Sequence, residues 1–166
     1  MSIQLVRKYL VTCGLLLLPV FIWNAALMSL LPPVYLPDEF WRDIPDVIGT
    51  AENLMRLLVF TLPFLMPLSI ASTRQRIGLG IFIAGNLVYF ASWLALIVAP
   101  GSMWSHSAFG FLAPAYTPLI WFAGLALLSH RLFWGSFYRW WMYFVLCCLF
   151  LAVHITHAVI VYIRNV

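Results

Sequence analysis

Charge is what this chain has least of: 8% of its 166 residues are Asp, Glu, Lys or Arg, where a soluble domain carries roughly 25%. Carboxylates are scarcer still. All five, Asp38, Glu39, Asp43, Asp46 and Glu52, lie in one short stretch. Only Glu52 approaches an apolar segment, which argues against carboxylate-dyad catalysis and against an acid-coupled ion transporter. Cysteine is also scarce. Cys13, Cys147 and Cys148 form no C-x-x-C pair, which removes thioredoxin-like redox chemistry, a zinc knuckle and a quinone-coupled thiol oxidase. The nine Lys and Arg residues are scattered in ones and twos, so the net charge of +4 is no nucleic-acid footprint. Glycine-rich phosphate loops are missing, and Ser92, Ser105 and Ser107 stand in no nucleophile-elbow context.

What remains is hydrophobic, 64% of the chain. About 20 apolar residues cross the hydrocarbon core of a bilayer, and five segments qualify: 9–31, 53–70, 77–98, 108–128 and 140–163. The expected fold is therefore all-α, a polytopic membrane protein forming one domain over residues 1–166, built as a five-transmembrane-helix bundle. The second segment carries Arg56, Pro63 and Pro67 and is expected to be a kinked helix, since neighbouring groups in a bundle re-satisfy carbonyls that proline leaves free. Gly78, Gly80 and Gly85 read as points of close helix packing.

Between the first two spans, Phe40, Ile44, Val47 and Ile48 recur at helical spacing within 37–49. That pattern predicts a short external amphipathic helix, kinked at Pro45. It is read as a solvated cap, a lid over an outward-opening cavity or a docking surface. Orientation follows from the basic residues. Arg7, Lys8, Arg74, Arg76, Arg131 and Arg139 fall on one side of a five-span chain, and Arg42, Arg56 and Arg164 on the other. The N-terminus is thus expected in the cytoplasm and the acidic loop outside, in a bacterial inner or plasma membrane. Trp41 and Trp104 would then lie at the outer interface and Trp134, Trp140 and Trp141 at the inner one. Trp23, Trp93 and Trp121 lie deeper, where their indole N–H groups need acceptors.

His154 and His157 stand one helical turn apart in the last span, about 9–14 Å below its outer end at 1.5 Å per residue. Asn24, Ser92, Tyr116 and Thr117 reach similar depth on other spans, and Glu52 and Arg56 lie just above as an i, i+4 pair. The candidate ligand-binding residues are accordingly Asn24, Glu52, Arg56, Tyr116, Thr117, His154 and His157. Two histidines are too few for zinc, which needs at least three protein ligands. His106 or Glu52 would have to complete a set with His154 and His157, so no metal and no cofactor are expected. The alternative reading is that these histidines hydrogen-bond across helices as structural glue.

Three function classes follow. The first is a protein that binds or carries a lipid-like or small apolar ligand in an outward-facing pocket. The second is a membrane-embedded enzyme acting on a lipid-linked substrate through His154 and His157. The third is a non-catalytic subunit of a larger membrane complex. The partners implied are membrane lipid, a small apolar ligand and a membrane-protein partner or second copy of the chain, and not nucleic acid.

Overall fold

The computed structural model describes residues 11–133 and 138–165. Arg7, Lys8, the first residues of the expected first span and Trp134 lie outside the described residues. The protein is all-α, with no strand among the described residues. Its α-helices in chain order are α1 Leu18–Leu27, α2 Pro37–Phe40, α3 Asp46–Thr61, α4 Thr73–Val98, α5 Met103–His106, α6 Ala108–Phe111, α7 Ala113–Tyr116, α8 Pro118–Leu128 and α9 Trp140–Asn165. Among the described residues, four helical stretches are long and apolar enough to cross a membrane: Cys13–Leu30, Asp46–Leu65, Thr73–Val98 and Trp140–Asn165. The segment expected as the fourth of five spans is not among them.

The expected fourth span, 108–128, is not one helix. It is a chain of short ones, and its longest apolar stretch is Ala113–Leu128. Pro114 and Pro118 are the cause. Each falls in the first turn of a new helix, α7 or α8, the one place where a missing N–H costs nothing. The segment still runs back along α4. A side chain at Gly78 would strike the Gly124 carbonyl and Leu128. One at Gly85 would lie 2.4 Å from the Trp121 amide, and one at Gly124 2.3 Å from that of Phe82. Two helices approach this closely only where their facing residues lack a Cβ. Gly80, expected to share this role, faces open space instead.

Proline also redraws the second span. The helix expected over 53–70 begins earlier, at Asp46, and stops at Thr61 instead of kinking through Pro63 and Pro67. A 3-10 turn, Leu62–Leu65, follows with Pro63 in its first turn. The chain then runs extended beside residues 11–13: Cys13 N–H donates to the Met66 carbonyl at 2.9 Å and Leu68 N–H to that of Val11 at 3.1 Å. Non-helical backbone at membrane depth persists only where protein satisfies it in this way. The first span is likewise segmented, with 3-10 turns Cys13–Leu17 and Met28–Leu30 flanking α1, which has Pro19 in its first turn.

The external amphipathic helix predicted over 37–49 is corrected as well. α2 ends at Phe40, Asp43 turns the chain with φ 53°, and Pro45 caps α3 instead of kinking a helix. Aspartate is one of the few side chains that tolerates this left-handed backbone. Residues 46–49 are the first turn of α3, where Asp46 lies in the favourable field of the helix N-terminus.

α4 opens with a capping box in which Ser72 and Gln75 satisfy each other's backbone N–H groups. Gln75 then reaches across to the Leu128 carbonyl at 3.3 Å, tying the end of α8 to the start of α4. The core lies where α4, α8 and α9 meet, around Trp121, Phe122, Leu125, Tyr143 and Cys147, all essentially inaccessible. Large apolar side chains such as Ile22, Leu57, Leu87 and Phe109 point outward. Hydrocarbon, not water, is the solvent for such a perimeter.

These glycine contacts set a sharp contrast. Gly85→Ala should lower the stability of the detergent-solubilised protein by about 1–3 kcal/mol, the usual cost of overpacking. Gly80→Ala, which meets nothing within 4 Å, should raise it by about 0.5–1 kcal/mol. Melting curves of the two variants, run together, check the seam: equal shifts would contradict it.

Candidate functional site

A glutamate with no solvent exposure, inside a bundle this apolar, organises the site. Glu52 lies on the second turn of α3, and its side chain is 0% exposed. Four residues on, Arg56 donates to its Oε1. His154 Nδ1 meets the same oxygen at 2.9 Å, and His157 Nδ1 meets Oε2 at 2.5 Å. The one-turn spacing of the two imidazoles on α9 presents both to a single carboxylate on α3, one on each oxygen. Leaving such a buried charge unpaired would cost several kcal/mol, which is why the donors converge.

The loop after the first span closes over this group. His157 Nε2 lies 2.9 Å from the Phe40 carbonyl. Arg164, one residue before the end of α9, donates to the carbonyls of Glu39 and Arg42. Three carbonyls of the loop are therefore held by α9. The Phe40 ring packs 4.4 Å from that of His157, and Trp41 meets the same imidazole edge-on at 4.6 Å. The Arg56 guanidinium sits 5.5 Å from the Trp41 ring centre, a cation–π contact. On its other side His154 stacks on Phe150 at 5.6 Å, nearly parallel.

Beside the cluster lies a cavity of about 660 Å³. Every span contributes to its wall. Apolar and aromatic residues dominate, among them Phe60, Trp93, Trp121, Phe122 and Phe150. The polar lining comes from Asn24, Tyr35, Asn53, Thr61, Tyr89, Arg56 and His154, and Pro37, Phe40 and Trp41 of the loop also line it. Asn24 accepts a hydrogen bond from Tyr89 at 2.8 Å, and Tyr35 donates to the Phe111 carbonyl at 3.0 Å. Burial pushes the Tyr35 hydroxyl well above its ordinary pKa, so it remains a donor. Trp121, expected to find an acceptor, has a buried indole N–H with no partner, as does Trp23.

Of the residues predicted for the site, Asn24, Arg56 and His154 line this cavity, and Glu52 and His157 stand behind them. Tyr116 and Thr117 do not join them. They line a separate cavity of about 440 Å³ with Val88, Ser92 and Trp104, and their hydroxyls bond to the Phe109 and Ala113 carbonyls of their own segment. His106 is exposed; its N–H donates to the Ser102 carbonyl and its carbonyl accepts from the Tyr162 hydroxyl. It cannot complete a metal set with His154 and His157. Glu52 does not do so either, since its oxygens are occupied by separate donors, and no metal-holding group of three occurs among the described residues. Phe40 and Trp41 escaped the sequence reading as site residues because their roles depend on a loop carbonyl and a ring face brought onto α9.

Hydrogen-bond valence settles the protons. The Phe40 carbonyl can only accept, so His157 Nε2 carries hydrogen. Nδ1 and Oε2, 2.5 Å apart, must then share one further proton, whichever atom holds it. Glu52 Oε1 already accepts from Arg56, so His154 donates from Nδ1, and its Nε2 has no hydrogen-bond partner among the described residues.

This arrangement predicts an asymmetry between two substitutions. In Glu52→Gln the amide oxygen accepts from Arg56 and His154, and the amide nitrogen donates to a neutral His157, so the network survives. Its stability should stay within about 1 kcal/mol of the parent. Glu52→Leu leaves a guanidinium and two imidazoles without their acceptor and should cost about 3–5 kcal/mol. Thermal melts in detergent check both, and an unstable Glu52→Gln would contradict the proton assignment.

Comparison with protein-family models, with curated proteins and with solved structures yields no match for this chain, so its functional reading rests on the chemistry of the site itself.

Proposed function

We propose that this protein binds an amphiphilic, lipid-like molecule, with the apolar body in the large cavity and the polar end against Arg56 and His154. The observation that carries this reading is the cavity itself. Its volume, about 660 Å³, falls within the roughly 300–1,000 Å³ usual for ligand sites. Its wall is mostly apolar, with its fixed charge at one end. A purely structural network would not need open space beside it. Trp121 supports the reading further, because its unpartnered indole N–H lies in a residue of the cavity wall.

A second reading, a membrane-embedded enzyme, is favoured by one observation. Glu52 orients His154 through Nδ1 and leaves Nε2 facing no protein partner, the arrangement of an imidazole base held by a carboxylate. Among the described residues the cavity wall holds no serine or cysteine and one threonine, Thr61, so such a base would act on the bound molecule, on water or on that hydroxyl.

The same reading takes the chain through the membrane five times, with the broken segment Ala113–Leu128 as the fourth crossing, because it follows α4 from the level of Gly85 to that of Gly78. The N-terminus is then cytoplasmic and the Glu52 end of the bundle external. Asp46→Cys and Thr73→Cys place probes at exposed positions near opposite ends. An impermeant thiol reagent applied outside intact cells should label the first and spare the second. The reverse pattern would invert the orientation.

Occupancy is tested by fluorescence, since Trp41, Trp93 and Trp121 all line the cavity. Brominated octadecanoic acid and brominated octadecanol should quench them saturably in detergent. Ala158→Phe and Ala115→Phe, each placing a ring in the wall, should weaken this by about tenfold or more, equivalent to 1.4 kcal/mol, with the melting temperature retained. Unchanged saturable quenching in both filled variants would remove the cavity as the binding site.

A further inference from the structure

Building on that reading of the cavity, we infer that the bound amphiphile carries an anionic oxygen head, a carboxylate or a phosphate, which the Arg56 guanidinium pairs with next to His154. The argument is a charge count. Glu52 and His157 together hold one proton more than a carboxylate beside a neutral imidazole, because the Phe40 carbonyl claims Nε2 and the 2.5 Å contact claims another hydrogen. That pair is therefore neutral as a unit. His154, donating from Nδ1, brings no negative charge. Arg56 adds one positive charge, and the cluster is net positive.

Nothing else lining the cavity offsets it. Arg56 is the only fixed charge among the described residues of the wall. The remaining acids lie on the loop or the first turn of α3, outside that lining. Glu39 and Asp43 are turned toward Arg42, at 2.8 and 3.9 Å, with both carboxylates well exposed to solvent. Exposed charges are screened within about a Debye length, whereas a partly buried one is screened much less. Arg56 has only one of its donors spent on Glu52, and its side chain is 38% exposed. The guanidinium fork suits a two-oxygen anion. A neutral alcohol would leave that charge uncompensated beside an apolar wall, and an ammonium head would repel it.

The chain length of the probe is held constant so that only the head varies. Hexadecanoate, hexadecyl phosphate, hexadecanol and hexadecyltrimethylammonium are each titrated as competitors of the brominated octadecanol quench, on the parent protein and on Arg56→Gln. We expect one or both anions to compete at least about tenfold more tightly than hexadecanol, and the ammonium to compete worst. Arg56→Gln should erase the advantage of the anions over hexadecanol. The tighter of the two anions identifies the head as carboxylate or phosphate. Equal competition by hexadecanol and both anions overturns the inference while leaving the cavity as a binding site. An advantage that persists in Arg56→Gln overturns it too. If no brominated chain quenches saturably, it is the proposed binding function that fails, and that outcome is seen before any head group is compared.

Discussion

The carboxylate of Glu52 is the constraint on which the rest of this site depends. A buried anion in an apolar bundle is tolerated only when donors surround it, and the chain supplies three from two helices. Arg56 comes from the same helix at i+4, and His154 and His157 come from α9 at one-turn spacing. Meeting that requirement fixes the rotation of α9 against α3. It also fixes the loop, because His157 has a second nitrogen, and the Phe40 carbonyl is what satisfies it. One carboxylate thus aligns two spans and closes the segment that covers them.

Proline and glycine decide the shape around this centre. Pro114 and Pro118 restart the helix twice along the fourth segment, and the α-helix of the second span stops at Thr61, two residues before Pro63. Gly78, Gly85 and Gly124 allow that broken segment to press directly on α4. The bundle is tight there and open elsewhere. Bulky rings at Trp93, Trp121, Phe122 and Phe150 border the space that this unevenness leaves, and that space becomes the cavity.

Polarity across the cavity is equally uneven, and this gives it chemical character. Its hydrocarbon-like wall would accept any apolar chain without discrimination. In the binding reading proposed above, discrimination comes from one end, where Arg56, over the Trp41 ring, and His154 line the space. Removing water from such a site strengthens each of these interactions. The loop held through the carbonyls of Glu39, Phe40 and Arg42 adds Phe40 and Trp41 to the wall at that end.

The sequence by itself determined the solvent, the helical class and the residues carrying charge at depth. Long apolar runs and scarce acids leave few alternatives, and a His–His pair one turn apart declares its shared face through helical geometry alone. It also marked Glu52 and Arg56 as a pair, because i, i+4 spacing is local. The sequence left undetermined whatever depended on contacts between distant segments. Whether Pro63 and Pro114 would kink or end their helices depended on partners for the freed carbonyls, which the chain near residues 11–13 and the face of α4 provide. That Tyr116 and Thr117 turn to a separate cavity, and that Gly80 meets nothing, follow from the rotation of each helix about its axis. Only the tertiary structure brought Glu52 between two histidines more than a hundred residues away. Only there did a buried charge demand three donors at once, and hydrogen bonds between remote segments are not written in any local period.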